Sequence, residues 1–489
     1  MICIPITARS TEEVLLEMET AQKYADIIEL RLDFFSDKRD AEICLEKVSK
    51  KRPKPIIITN RPKREGGRYT DSEEERIRLL QRAIDLRFEY VDVEHDSMMH
   101  IIRRDYSKII ASYHNFQETP HGINQVYDKI CQCKPDIVKI VTYAHDITDN
   151  IRIFELLKSA HLPIISFCMG ENGHISRILT RKFGGFLTFA SLSKGKESAP
   201  GQLTFQELTD TYHFKKSNKE TKVYGIVGNP VSHSMSPAIH NSSFIEKGLN
   251  SIYVPLKVVD IGSFVREFRK INIEGFSITI PHKESIVPFL DDIDCTAEKI
   301  GAINTVVNSS GRFKGYNTDS LAALQGLENG MNHNEKALNT VAIIGAGGAA
   351  RAIAYGLKDA GYHITIYNRT KERGIKLSHD IGCTYKGFEE ISQVEANILI
   401  NCTSIGMFPH IENSPVPKDK LKPGMVVFDA VYNPIKTRLL LDAEERGCCV
   451  VNGLTMFINQ AAEQFRLWTG IEPPIELMRN VVLGKLSAQ

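Results

Sequence analysis

Eight short β-branched runs, ICIPI, DIIELRLD, PIIITN, YVDVEH, KIIASYH, DIVKIVT, PIISFCM and FLTFAS, follow one another within the first ~190 residues, separated by helix-length segments. Strands this continuously apolar are buried on both faces, and strands that alternate with helices assemble as parallel sheets. Eight such repeats predict a (β/α)8 TIM barrel. One run contradicts its own composition: DIVKIVT carries Lys139 in its middle, although lysine is among the residues least often fully buried. An isolated lysine there would snorkel to the barrel mouth. Its neighbours decide whether it does more.

The chain is 489 residues long, more than one ordinary core holds, so two or three domains are expected. The stretch KKSNKET, residues 215 to 221, has no apolar residue to bury and is the best linker candidate. Beyond it VYGIVGNP, SIYVPLKV, GFSITIPHK and the turn-rich AINTVVNSSGRFKGYNTDS form a second α/β pattern. A third starts at TVAIIGAGGAARAIAYGL, where an apolar strand runs into a glycine-rich turn and then a helix. The expected domains are 1–213, 222–325 and 326–452, with C-terminal helices 453–489 returning to the middle domain.

With 61 basic and 60 acidic residues, nothing points to a nucleic-acid partner. No apolar run approaches the ~18 residues that would span a bilayer. The start MICIPITARSTEE lacks the features of a secretion signal, so a cytoplasmic location is expected. Ten cysteines without a CxxC fit neither a disulfide framework nor a zinc site, and no metal is expected.

In a barrel of this kind chemistry sits at the C-terminal strand ends. There the sequence places Glu29 and Arg31, Arg61 and Glu65 in NRPKREGG, Glu94, His114 in SYHNF, and Lys139. Lysine beside histidine suits an imine mechanism, in which the amine condenses with a ketone while the imidazole moves protons. The amine must be neutral to attack, and an ordinary lysine is almost wholly protonated at neutral pH. Burial, with Arg31 and Arg61 as neighbours, is expected to favour the neutral form.

ELRLDFF, TNRPKREGG, SYHNF, DIVKIVT, ISRI, GGFLTFAS and SAPGQ together resemble the type I 3-dehydroquinate dehydratases over residues 1 to 213. The resemblance implies that Lys139 forms a Schiff base with the substrate ketone, that His114 is general base and acid, and that Glu65 orients His114. It further implies that Glu29, Arg31, Arg61, Arg177, Ser198 and Gln202 hold the hydroxyls and carboxylate of 3-dehydroquinate. Asn115 stands where that family usually has Asp.

In the third pattern GAGGAA (Gly345, Ala346, Gly347, Gly348, Ala349, Ala350) has the strand-to-helix setting of a dinucleotide fingerprint. The next strand, HITIY, ends in NRTKER, which offers Asn368, Arg369, Thr370 and Arg373 where an NAD site would place an acidic residue. NADP is therefore the expected cofactor. Ser234, Ser236, Thr279, Lys283, Asn304 and Asp319 form a polar set suited to a small polyhydroxylated acid. These motifs, with NCTSIGM, DAVYNPIKTRLL and NGLTMFINQAAEQF, resemble shikimate dehydrogenase over residues 222 to 489. The resemblance implies Lys283 and Asp319 as the catalytic pair. It implies Ser234, Ser236, Thr279, Asn304, Asp319, Tyr432 and Gln460 as substrate ligands, with Ala430 and Gly453 joining the cofactor set. Ser277 stands where that family commonly has Asn.

Joined, the two resemblances imply a bifunctional shikimate-pathway enzyme, both lyase and oxidoreductase. It would dehydrate 3-dehydroquinate to 3-dehydroshikimate and reduce that ketone to shikimate with NADPH. Two rival readings of the same residues are an imine-forming aldolase fused to a quinate dehydrogenase, and a ligand-binding regulator that has lost turnover.

Overall fold

The computed structural model describes residues 1–232, 234–330 and 339–487. The chain divides into two compact units, Met1–Lys222 with Asn250–Asn272, and Val223–Leu249 with Ile273–Gln489.

The first unit contains strands β1 (Ile2–Ile6), β2 (Ile27–Arg31), β3 (Ile56–Thr59), β4 (Tyr90–Glu94), β5 (Lys108–His114), β6 (Ile137–Tyr143), β7 (Ile164–Met169) and β8 (Thr188–Phe189). They run in the order β7-β6-β5-β4-β3-β2-β1-β8. The remaining gap is bridged just before β8, where Phe186 N–H donates to Ile164 O at 2.7 Å. This is the expected parallel barrel, nearly closed. Register puts Glu94 opposite Ser112 and Ser112 opposite Lys139, so the three lie at one level of the sheet. The barrel also holds an apolar cluster that includes Cys3, Ile27, Ile57, Ile110, Ile137 and Ile165, the last directly opposite Lys139.

Outer helices start where the sequence supplies caps: Ser10 before Thr11–Ala21, Asp37 before Lys38–Lys50 and Ser72 before Glu73–Asp85 each accept a backbone N–H of the first turn. Two departures stand out. The crossover from β4 to β5 holds one 3-10 turn, Met98–His100, and no α-helix. FLTFAS, expected as a full strand, contributes the two residues of β8.

KKSNKET is not a free linker. Phe214, just before it, is fully buried, Ser217 Oγ donates to Phe214 O at 2.8 Å, and Thr221 Oγ1 accepts from Asn218 N at 2.7 Å. Ser217 and Thr221 are buried and satisfy local turns, a use that composition does not reveal, while Lys215, Lys216, Asn218, Lys219 and Glu220 face water.

Two further strands open the second half: β9 (Lys222–Gly228) and β10 (Ser251–Lys257), the latter grouped with the first unit. In the second unit β11 (Gly275–Ile278) pairs parallel to β9 and antiparallel to β13 (Thr305–Ser309). Strand β13 turns back into β14 (Arg312–Tyr316), whose far side takes β12 (Asp292–Ile293). The last sheet is wholly parallel, with order β17-β16-β15-β18-β19-β20. Its strands are β15 (Thr340–Ile344), β16 (His363–Asn368), β17 (Thr384–Gly387), β18 (Ile398–Asn401), β19 (Val426–Asp429) and β20 (Cys449–Val451). Alternate residues of β15 enter different cores: Val341 and Ile343 lie in one, Ala342 and Ile344 in the other. Both faces are thus covered, as a doubly wound sheet requires. Strand order reverses between β15 and β18, the place where such sheets bind ligands. Helix Gly453–Thr469 returns to the β13 strand, with Trp468 Nε1 donating to Val306 O at 3.0 Å.

Candidate active sites

The barrel mouth encloses a pocket of about 480 Å³ open to solvent. Its wall contains nine of the ten residues expected there, Glu29, Arg31, Arg61, Glu65, His114, Lys139, Arg177, Ser198 and Gln202, while Glu94 does not line it and is paired with Arg61 and Arg76. The nine come from β2, β5, β6, the turns after β3 and β8, and the short helix His174–Ile178. Phe116, Phe167, Met169 and Phe189, which the sequence argument did not name, form its apolar part.

Lys139 does not snorkel. Its Nζ donates to Asp92 Oδ2 at 2.7 Å, lies 3.6 Å from Glu29 Oε1, and sits 4.6 Å from the centre of the Phe189 ring. Arg61 neighbours this amine, its Nη2 donating to the same Asp92 Oδ2, and both Arg61 and Arg31 are themselves held by carboxylates. Arg31 makes a two-pronged bond to Asp33, 2.8 Å on each side. Arg61 donates at 2.6 Å to Asp92, to Glu94 and to Ser112 Oγ. Arg177 differs from both: it is 1% exposed, stacks 4.2 Å over Phe167, and its Nε and Nη2 have no partner among the described residues. Burial pulls its pKa down to about 9. A buried guanidinium with open donors at a pocket wall has the chemistry to receive a carboxylate.

His114 Nδ1 lies 2.9 Å from Glu65 Oε2. Burial, aided by Arg61 and Lys139, pulls the imidazole well below its ordinary value. Burial pushes Glu65 up to about 8 against the pull of Arg61. The contact places a carboxyl group against the imidazole at the pocket wall, an arrangement that can orient a proton-transfer group. Asn115 Oδ1 accepts from Gln117 N and Glu118 N at 2.8 and 3.0 Å, a turn that aspartate would cap in the same way. Ser198 donates from N and Oγ to Gln202 Oε1, at 2.7 and 3.1 Å, tying the loop after β8 together.

In the second unit Lys283 Nζ donates to Asp319 Oδ2 at 2.6 Å, and Asn304 Nδ2 donates to Asp319 Oδ1 at 2.8 Å. Gln460 joins through its carbonyl, which accepts from Thr318 Oγ1 at 3.2 Å. The glycine-rich turn comes to the same place: a Cβ on Gly348 would lie 2.9 Å from Lys283 Cβ. Gly345, with φ +110°, allows the sharp exit from β15. Gly347 caps the helix Gly348–Asp359, which also carries Ala349, and Ala346 precedes it. Asn368 ends β16 beside that turn, and Arg369, Thr370 and Arg373 follow it, exposed and, for the arginines, without an ion-pair partner among the described residues. Gly453 packs its backbone on that of Ala430, a Cβ there meeting Ala430 O at 2.6 Å. Open donors, a turn that excludes side chains and no carboxylate at the end of β16 fit a 2′-phosphorylated dinucleotide.

The other expected ligands are less directly joined. Ser234 Oγ accepts from Ser236 N at 3.2 Å where helix Ser236–Glu246 begins. Thr279 packs on Gly228. Tyr432 stacks on Phe457 with centroids 4.0 Å apart, and burial pushes its hydroxyl up to about 12.

Two groups escaped the sequence argument. Asp92 shares a strand face with Glu94, and that spacing of two was its only signal. Gln464 is buried, accepts from Ser277 Oγ at 2.8 Å and donates to Asn304 O at 3.2 Å, linking Ser277 to the residue that holds Asp319. Nothing in the sequence brings positions so far apart together.

Comparison with known proteins follows the same division. Residues 2–219 match the family described as type I 3-dehydroquinase. Residues 226–306 match the shikimate dehydrogenase substrate binding domain, 330–429 the shikimate/quinate 5-dehydrogenases, and 453–483 the shikimate 5′-dehydrogenase C-terminal domain. The chain is 41% identical to the chloroplastic bifunctional 3-dehydroquinate dehydratase/shikimate dehydrogenase of Arabidopsis thaliana, over 99% of this chain and 84% of that protein. It is 44% identical to the NADP(+) shikimate dehydrogenase of Pyrococcus furiosus, covering 55% of this chain and 98% of the relative. A crystal structure of a shikimate dehydrogenase in complex with NADP+ superposes with a TM-score of 0.52 at 39% identity, covering 55% of this chain and 97% of that one. Among the described residues no helix is long and apolar enough to cross a membrane.

Proposed function

Because the chain belongs to the bifunctional 3-dehydroquinate dehydratase/shikimate dehydrogenases, a lyase and an NADP-dependent oxidoreductase in one polypeptide, we propose that Lys139 is the Schiff-base nucleophile of its dehydratase and that Lys283 with Asp319 handles the proton in its dehydrogenase. The observation that carries this is the pocket itself: nine polar residues scattered from position 29 to 202 line one cavity around Lys139 Nζ.

In the dehydratase the Lys139 nitrogen attacks the ketone of 3-dehydroquinate as the neutral amine, and, counted from its ammonium, two of the three N–H protons leave with the ketone oxygen as water, giving a protonated imine with one N–H. His114, oriented by Glu65, takes the α-proton, and the electron pair moves into the imine to give an enamine. The enamine expels the β-hydroxyl, which leaves as water with the proton that His114 returns, and hydrolysis of the imine frees 3-dehydroshikimate. Arg177 receives the carboxylate, while Arg31 and Arg61 shape the wall through the carboxylates they already hold. Glu29, Ser198 and Gln202 receive hydroxyls.

In the dehydrogenase NADPH, when bound, supplies the hydride that reduces the ketone. Gly345 to Ala349 would leave room for its pyrophosphate at a helix N-terminus, and Arg369 and Arg373, with Asn368 and Thr370, would hold the 2′-phosphate. Ala430 and Gly453, packed on each other, would also line the cofactor. Lys283 donates a proton to the ketone oxygen while Asp319, fixed by Asn304, keeps the ammonium aimed. Ser234, Ser236, Thr279, Tyr432 and Gln460 hold the ring hydroxyls and carboxylate.

The domains are placed at 1–213, 222–325 and 326–452, with 453–489 returning to the substrate domain; the bonds from Gln464 and Trp468 to Asn304 and Val306 support that return. A reducing compartment such as the cytoplasm is proposed on the ten free cysteines. Borohydride added during turnover of 3-dehydroquinate should fix substrate on Lys139 and stop dehydration, leaving reduction of supplied 3-dehydroshikimate intact. An adduct on another lysine, seen by peptide mass spectrometry, would overturn the assignment.

A further inference from the structure

The nitrogen of Lys139 touches a carboxylate that the reaction as described above does not use. Asp92 Oδ2 accepts from Nζ at 2.7 Å and from Arg61 Nη2 at 2.6 Å, and Oδ1 is buried with no partner among the described residues. The side chain is wholly buried. Burial alone would push it toward the neutral acid, but Arg61, Lys139 and His114 hold it far below the ordinary carboxylate range. It is a fixed anion at the reacting atom.

We propose that Asp92 is the counter-ion of the protonated imine on Lys139, keeping its hydrogen bond to the nitrogen while the ammonium is replaced by the iminium. The proposal rests on the imine assignment of Lys139. Counted from the ammonium, with three N–H bonds and one positive charge, two protons leave with the ketone oxygen as water, the attacking species being the neutral amine, and the iminium that results carries the same charge with one N–H and a double bond to carbon. A carboxylate already in place serves both states without reorganisation. When the α-proton leaves and its electron pair reaches the imine, the nitrogen becomes neutral. Asp92 is not orphaned at that stage, because Arg61 stays on the same oxygen.

The other groups facing this nitrogen do not replace it. Glu29 from β2 stands 3.6 Å away and accepts from Thr59 Oγ1 at 2.8 Å. Glu94, on the strand of Asp92, is shared by Arg61 and Arg76. His114 from β5 is engaged with Glu65, and burial holds the Cys3 thiol from β1 well above its ordinary value and therefore neutral.

The product ketone is conjugated, so its imine on Lys139 absorbs in the near ultraviolet, at longer wavelength when protonated. The full chain, mixed with 3-dehydroshikimate without NADPH, is titrated with base. The parent imine should stay protonated well above neutral pH. In Asp92→Asn it should lose its proton roughly one to three units lower. Dehydration should slow by about 10²- to 10³-fold, with borohydride still labelling Lys139. Glu29→Gln should move the titration less. A parent imine that deprotonates at or below neutral pH overturns the proposal and needs no variant, so an Asp92→Asn chain that fails to fold leaves the question decidable. An Asp92→Asn imine that titrates with the parent overturns it too. Absence of any label on Lys139 in the parent refutes the imine assignment instead, which keeps the two failures apart.

Discussion

Two lysine-aspartate pairs, 2.7 and 2.6 Å long, serve the two halves of this chain, yet their surroundings differ. The Lys139 side chain is 6% exposed and meets a second carboxylate and an aromatic face, whereas that of Lys283 is 16% exposed and meets one carboxylate beside a glycine turn. The first site is a more buried and charge-compensated pocket, which suits the proposed covalent role of its nitrogen. The second is more exposed and lies against the glycine-rich turn, which suits the proposed delivery of a proton beside a bound dinucleotide. Contact geometry alone therefore does not separate a nucleophile from an acid; the rest of the shell does.

The sharpest way to break this comparison is to remove each lysine in turn. Lys139→Ala should lower dehydration by at least about 10⁴-fold, since a covalent route is lost outright. Reduction of supplied 3-dehydroshikimate should stay near the parent rate. Lys283→Ala should lower reduction by a smaller factor, about 10²- to 10⁴-fold, as expected for a general acid, and let 3-dehydroshikimate accumulate from 3-dehydroquinate. If Lys139→Ala removes both activities from a folded chain, the sites are not independent.

A smaller effect tests the cofactor side. Arg369→Ala with Arg373→Ala should reduce kcat/KM for NADPH by roughly one to three decades, at about 1.4 kcal/mol per decade, and spare NADH. Equal losses with both cofactors would show that these arginines do not read the 2′-phosphate.

Much of this was legible in the sequence because the features were local. ICIPI and KIIASYH are β1 and β5 residue for residue, and Lys139 announced itself by breaking an apolar strand. Asp92 was overlooked because, within YVDVE, it read as an ordinary companion of Glu94, and only register against β5 and β6 brings that face to Lys139. The helix missing between β4 and β5 had a faint sign: MMHII pairs its apolar residues without the 3.6-residue spacing. What could not be read was which arginine is free. Arg31, Arg61 and Arg177 look alike as residues, and their difference lies in Asp33, Asp92 and Glu94, carboxylates that engage the first two and leave the third open.

That difference among arginines gives the smallest and most discriminating effect. Arg177 has a folded-state pKa of about 9, below the ordinary 12.5, so the fold binds its proton less well than the unfolded chain does. A cation depressed in this way destabilises the fold while it is charged. The penalty is present in full below pH 9 and fades as pH rises through that value. Arg177→Met keeps a flexible side chain against Phe167 without the charge, and should stabilise the barrel by about 1–2 kcal/mol at neutral pH while losing dehydratase activity. Arg369→Ala, at an exposed site, should leave stability unchanged. Hydrogen-exchange protection of β6 and β7 amides measures the barrel separately from the second unit. The gain should shrink above pH 9, and a carboxylate ligand that pairs with Arg177 in the parent should shrink it as well. A variant no more stable than the parent at neutral pH would mean that Arg177 is already compensated, and that the carboxylate of the substrate is received by another group.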